Sequence, residues 1–297
     1  MWASTSRPVL LYDSSPAALR SAVEYISDVL GVLCFNEDTH PGHVATTTYL
    51  PAACRAEPGP WLVIEALPEE LSLKRKVLSE VEALAPRDCI LASNSSSFRT
   101  AEMLAAPGGG EGADGVKDGA RLLNMHHYIP PRNRMVELMS SGSTAEAVFP
   151  FLAAQMESVG LRPLVLPADV QSTGFIFNRI WAAVKRETLA VLAEGVARHP
   201  ADVDELFRDF FHAEKGPCEK MDEVGLDTVA KVEARYVVER PGIGSEEALE
   251  WLAKEYVEKG RLGEKSGDGL YTAEERKEMI AERELDALDP LEESKGA

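Results

Sequence analysis

The stretch "NMHHYIPPRNRMVELM" carries the residue types of a general-base site: His126 at the end of an apolar run, and Glu137 on the next one. An imidazole with a carboxylate partner takes a proton from a substrate hydroxyl, because the carboxylate fixes the tautomer and stabilises the imidazolium that forms. Two further stretches supply groups that hydrogen-bond a substrate oxygen: the serines of "ASNSSSF" and Asn178 of "STGFIFNR". A fourth, "VIEALPEELSLK", ends an apolar run on Glu65 and places Lys74 in the helix that follows. A fifth, "PVLLYD", ends on Asp13, as the second strand of a dinucleotide-binding unit ends on an acid that reaches a ribose hydroxyl. Each has a plain structural reading beside the chemical one. His126 also reads as a packed histidine, the serines as a helix cap, Glu137 as an exposed strand residue and Asn178 as a helix-start hydrogen bonder.

These residues need a scaffold, and the first half of the chain supplies one by alternation. Strands are expected at "PVLLYD", "GVLCF", "WLVIEAL", "CILASN", "RLLNMHHY", "RMVELM" and "RPLVLP". Helices are expected at "SPAALRSAVEYISDVL", "PEELSLKRKVLSEVEALA" and from Ala145 to Val159. Residues 36–60 read as irregular, and "APGGGEGADGVKDGA" as an exposed insertion with neither the strand before it nor the Lys-Ser/Thr after it of a phosphate cradle. Strands alternating with helices imply a mostly parallel, doubly wound sheet. Serines just past a strand then lie where such sheets present ligands. From Gly174 the pattern turns helical, with Ile176, Ile180, Ala183, Val184, Leu189 and Leu192 forming one apolar stripe. Three units follow: residues 1–172, a helical domain over 173–271, and an acidic tail over 272–297.

A chain of 297 residues with a formal net charge of −18 is a poor partner for nucleic acid or anionic membranes. Its four cysteines have no metal spacing and fit a reducing compartment, so a cytoplasmic protein is expected. No apolar run reaches the length of a membrane span.

Taken in order, the motifs resemble the 3-hydroxyacyl-CoA dehydrogenase family. "ASNSSSF" is similar to its Ser-Asn-Thr-Ser-Ser motif, "MHHYIPPRNRMVELM" to its His-Phe-Phe-Asn-Pro … Leu-Val-Glu segment, and "STGFIFNR" to its Pro-Gly-Phe-x-x-Asn-Arg helix start. "GPCEKMDEVGLD" and "GRLGEKSGDGLY" resemble its two later motifs, so the resemblance runs from about Pro8 to Tyr271. It implies a Rossmann-like domain followed by an all-helical, commonly dimerising one. It also implies His126 as base, Glu137 as its orienting carboxylate, and Ser96 and Asn178 on the substrate oxygen. NAD is the implied cofactor, with Asp13 on the adenosine ribose and Glu65 and Lys74 near it. A small β-hydroxy or β-keto acyl substrate and a homodimer complete that reading.

The chain departs from the pattern in four places. Ile129 stands where the family has Asn, Thr173 stands where it has Pro, the His-to-Glu segment is one residue shorter, and residues 36–60 align poorly. The family's first strand and Gly-x-Gly-x-x-Gly turn precede the point where this sequence begins, so the doubly wound sheet is expected in truncated form. Two other readings use the same residues. One is a non-redox enzyme in which the His126–Glu137 dyad removes an α-proton for cyclisation, dehydration or carbon–carbon cleavage. The other is an inactive family member.

Overall fold

The computed structural model describes residues 1–34, 39–106, 114–244 and 246–288, with backbone alone from 282 onward. The described chain divides into two compact units, Met1–Ile176 and Phe177–Ala297.

The first unit is built from parallel strands and the helices that follow them. β1 (Val9–Tyr12) leads into α1 (Pro16–Leu33), where the Ser15 hydroxyl accepts from Ala18 N–H and Pro16 supplies a preset first-turn φ. β2 (Val44–Thr47) and the short α2 (Leu50–Arg55) come next, then β3 (Leu62–Glu65) and α3 (Leu71–Leu84). β4 (Ile90–Ser93), β5 (Leu122–His127), β6 (Met135–Ser140), α4 (Val148–Glu157) and β7 (Arg162–Val165) complete the unit. Two expectations are corrected here. Gly31–Leu33 of "GVLCF" close helix α1 instead of forming a strand, while Phe35 lies outside the described residues. The stretch read as irregular holds β2 and α2, whose brevity hid them. Of the glycine-rich insertion, residues 107–113 lie outside the described residues.

The sheet order positions the chemistry. β3–β4–β5–β6–β7 form one sheet, parallel throughout except for the antiparallel β5–β6 pair. β4 and β5 are buried on both faces, as interior strands of an α/β layer must be. Alternate residues divide between two cores. Ile90, Ala92, Leu123 and Met125 meet Leu152 and Met156 of α4, whereas Leu91 and Leu122 meet Leu78 and Val81 of α3.

β1 and β2 pair in parallel as a separate two-stranded sheet. Doubly wound dinucleotide folds have the order 3-2-1-4-5-6, with the first strand central. In that scheme β1 and β2 take the second and third places and β3 the fourth. The break therefore falls where the central strand would stand. Before Val9, the described residues form a helical turn at Trp2–Ser4 and a parallel bridge from Thr5 to His40.

The second unit consists of α5 (Ile176–Ala193, whose first residue closes the first unit), α6 (Pro200–Phe211), α7 (Pro217–Val224), α8 (Leu226–Glu239), α9 (Glu246–Glu255) and α10 (Ala273–Leu288). Two buried aspartates hold it together. Asp204 caps α7 by accepting from Cys218 N–H (2.8 Å) and Glu219 N–H (2.9 Å), and it also takes the Tyr271 hydroxyl (2.9 Å). Asp222 accepts from Leu270 N–H and Tyr271 N–H, both at 2.9 Å. A Cβ at Gly263 would lie 2.3 Å from the Asp222 carbonyl oxygen, so "GRLGEKSGDGLY" is a backbone clasp that needs its glycine there.

Candidate active site

The carboxyl ends of β3, β4 and β5 carry Glu65, the serine loop with Ser96, and His126. His126 and Glu137 are direct cross-strand partners in the antiparallel β5–β6 register, and both are buried, 8 % and 4 % exposed. His126 Nδ1 lies 3.0 Å from the Asn94 carbonyl oxygen. A carbonyl only accepts, so this contact assigns the ring proton to Nδ1 and leaves Nε2 as the basic nitrogen. The ring stacks on Phe175, with centroids 4.9 Å apart, and meets Tyr128 edge-on at 4.8 Å. Glu137 accepts from the Tyr128 hydroxyl and, through Oε2, from Ile176 N–H at 2.8 Å. The Glu137 carboxylate is held among these groups across the ladder from His126.

His127 points to a different task. Its N–H donates to Asn94 Oδ1 (2.8 Å), and burial together with the neighbouring His126 pushes its pKa down to about 4. A neutral His127 adds no second positive charge next to His126. Asn94 thus contacts both histidines, through its carbonyl and its amide oxygen, and it is the residue that motif reading passed over. Its place inside "ASNSSSF" was visible, but a partner thirty-two residues away was not.

The serine loop beyond Asn94 is fixed from two sides. Glu69 accepts from the Ser95 hydroxyl (2.8 Å), Ser96 N–H (3.2 Å) and Ser97 N–H (3.3 Å). Asn124, fully buried on β5, accepts from Thr100 N–H (2.7 Å) and donates to the Phe98 carbonyl (3.0 Å). The Ser96 hydroxyl is thereby carried on a pinned backbone two residues past Asn94.

Glu65 and Lys74 are committed to each other. Lys74 is 1 % exposed, and its Nζ donates to Glu65 Oε1 (2.7 Å) and the Leu67 carbonyl (2.8 Å) while pairing with Glu69 at 3.1 Å. Glu65 also accepts from Leu67 N–H and the Ser93 hydroxyl. Through Glu69 this buried network reaches the serine loop. Asn178 stands in the first turn of α5, in the second unit.

Asp13 is the described residue placed as a dinucleotide-type strand-tip acid. Asp13 is exposed at the tip of β1, where Oδ1 accepts from Ser15 N–H (2.7 Å), and Oδ2 has no partner among the described residues. A strand-tip acid of this kind is the group that would meet a dinucleotide ribose.

Residues 1–170 match the family model of the 3-hydroxyacyl-CoA dehydrogenase NAD binding domain, and residues 174–273 match that of the C-terminal domain. The "3-hydroxyacyl-CoA dehydrogenase-like protein LAM1" of Cochliobolus heterostrophus is 42 % identical over 149 residues, covering 50 % of this chain and 31 % of that protein. This chain therefore spans less than a third of that relative. The 3-hydroxybutyryl-CoA dehydrogenase of Clostridioides difficile is 30 % identical over 71 % of this chain and 70 % of its own length. Among solved structures, (S)-3-hydroxybutyryl-CoA dehydrogenase PaaH1 from Ralstonia eutropha superposes with a TM-score of 0.72 at 26 % identity, covering 89 % of this chain and 90 % of that one. With both domain models matched in order, the chain belongs to the 3-hydroxyacyl-CoA dehydrogenase family of oxidoreductases.

Proposed function

We propose that this chain interconverts a β-hydroxy and a β-keto acyl substrate, with His126 as the proton-transfer group. The observation that carries the proposal is the His126–Asn94 contact, which places a ring proton on Nδ1, so that in the neutral ring Nε2 is the accepting nitrogen. In oxidation His126 Nε2 takes the proton of the 3-hydroxyl, and in reduction the protonated ring returns it to the ketone oxygen. Glu137, buried across the ladder, stabilises the imidazolium in between. Ser96 gives the substrate oxygen a hydrogen bond, and Asn178 keeps the same role from its motif position. NAD is the family's hydride carrier, with Asp13 on its ribose and the Glu65–Lys74 pair shaping the strand ends nearby.

A homodimer is part of this proposal. Leu206, Phe210 and Phe211 of α6 expose a contiguous apolar face, at 73 %, 78 % and 61 % exposure. Four free cysteines support a cytoplasmic setting. No described helix is long and apolar enough to cross a membrane.

The test is reduction of acetoacetyl-CoA followed by loss of NADH absorbance. His126→Ala is expected to lower the rate by about 10²–10⁴-fold, and an unchanged rate overturns the assignment of the base. The buried His126–Glu137 pair also supports a second reading, in which the same dyad removes an α-proton without redox change. Deuterium exchange at the substrate α-carbon that depends on His126, with no NADH consumed, would establish it in place of the first.

A further inference from the structure

Asn94 is the first residue past β4, and it reaches two other strands. The β4–β5 pairing runs from Leu91 and Leu122 to Ser93 and Asn124. One residue later the side chain of Asn94 continues the junction: its Oδ1 accepts from the backbone N–H of His127 (2.8 Å), the last residue of β5. Its own N–H donates to the carbonyl of Glu65 (2.8 Å), the last residue of β3. Asn94 is thereby tied to β3 through its backbone and to β5 through its amide. Its carbonyl lies against the His126 ring, 3.0 Å from Nδ1.

The protons of this cluster follow from groups that have one role each. The His127 backbone N–H only donates, so the amide atom facing it is the oxygen. That oxygen only accepts, so His127 Nδ1, 3.2 Å away, carries a proton. The Asn94 carbonyl makes the same demand of His126 Nδ1. One residue therefore holds two neighbouring rings in the same tautomer. The other nitrogen of His127, Nε2, is buried without a partner among the described residues. A phenylalanine, which stands at this place in the His-Phe-Phe-Asn-Pro motif, keeps the backbone bond to Asn94 and lacks the ring bond. Packing does not make the choice for His126: Phe175 stacks on its ring at an interplanar angle of 12° and Tyr128 meets it edge-on. Such contacts fix the ring plane and treat the two nitrogens alike, whereas an accepting carbonyl distinguishes them. A histidine without such a bond favours the proton on Nε2, the form with no lone pair there to offer a hydroxyl.

We propose that Asn94 is a positioning residue for His126: its side chain, latched to the backbone and ring of His127, aims its own carbonyl at Nδ1 and so keeps Nε2 as the accepting nitrogen. The effect on turnover rests on the role proposed for His126, whereas the placement of the ring proton does not.

The experiment reads the ring protons directly, by long-range proton–nitrogen NMR of the isotope-labelled full chain above the histidine titration range. His126→Gln and His127→Phe assign the two sets of ring resonances. The wild type is expected to show both rings protonated on Nδ1. Asn94→Ala is expected to move His126 toward the Nε2–H form. In oxidation of 3-hydroxybutyryl-CoA it should lower kcat about five- to tenfold, the worth of one hydrogen bond, with KM held within about twofold. Asn94→Asp keeps an accepting oxygen for His127 and is expected to retain the Nδ1–H form of His126. His127→Phe is expected to shift His126 in the direction of Asn94→Ala and by less. A wild-type His126 protonated on Nε2 overturns the proposal without recourse to any Asn94 variant. So do unchanged His126 ring resonances in Asn94→Ala, or an Asn94→Asp ring displaced as far as that of Asn94→Ala. The catalytic assignment is tested separately by the rate of His126→Ala, so each can fail without the other.

Discussion

Replacing Lys74 by Met tests whether the buried network at the end of β3 holds the serine loop in place. Met keeps most of the aliphatic stem and removes the ammonium, which donates to Glu65 Oε1, the Leu67 carbonyl and, at 3.1 Å, pairs with Glu69. Glu65 is 5 % exposed, so it cannot exchange this partner for water without opening the strand end. Removing one member of a buried ion pair costs about 3–5 kcal/mol, because the other charge is left uncompensated. That is a large share of a typical domain stability of roughly 5–15 kcal/mol. The chain has two units, so a single global transition is not assumed. Urea titration is therefore best paired with hydrogen-exchange mass spectrometry over Leu62–Glu65 and Ile90–Ser97. Protection should fall in these segments and hold in the second unit. Adding Glu65→Gln to Lys74→Met should recover at least half of the loss, because the stranded charge is gone while Leu67 N–H and Ser93 keep an acceptor. A loss below about 1 kcal/mol, or no recovery in the double variant, refutes the reasoning.

Two further outcomes can be checked. His127 has its pKa lowered from 6.5 to about 4, so its contribution is complete above pH 6.5 and is lost as pH falls toward 4. The gap amounts to about 3 kcal/mol; denaturant titrations between these pH values should show wild type losing stability that His127→Asn does not lose, and parallel curves would exclude His127 as the source. Asp13→Ala should raise the NADH dissociation constant about tenfold or more by calorimetry, the worth of a charged hydrogen bond; an unchanged constant would remove Asp13 from the ribose site.

Strand ends and helix stripes were legible because local pattern dictates them. Glu65 does terminate β3, His126 lies on β5 facing Glu137 on β6, and α5 begins where the apolar stripe begins. Residue type also marked His126, Glu137, Ser96 and Asp13 as groups with chemistry to offer. Gly31 misled, because the same "GVL" satisfies a helix end as readily as a strand, and only the Cys34 N–H to Leu30 carbonyl bond shows which it is.

The sequence by itself determined which side chains are present and which period each segment follows, since propensity and alternation act over a few residues. Only the tertiary structure decided that Asn94 serves both histidines and that Lys74 is spent on Glu65 and Glu69. Those facts depend on partners brought together from distant parts of the chain, and no local pattern encodes where a long-range hydrogen bond will close.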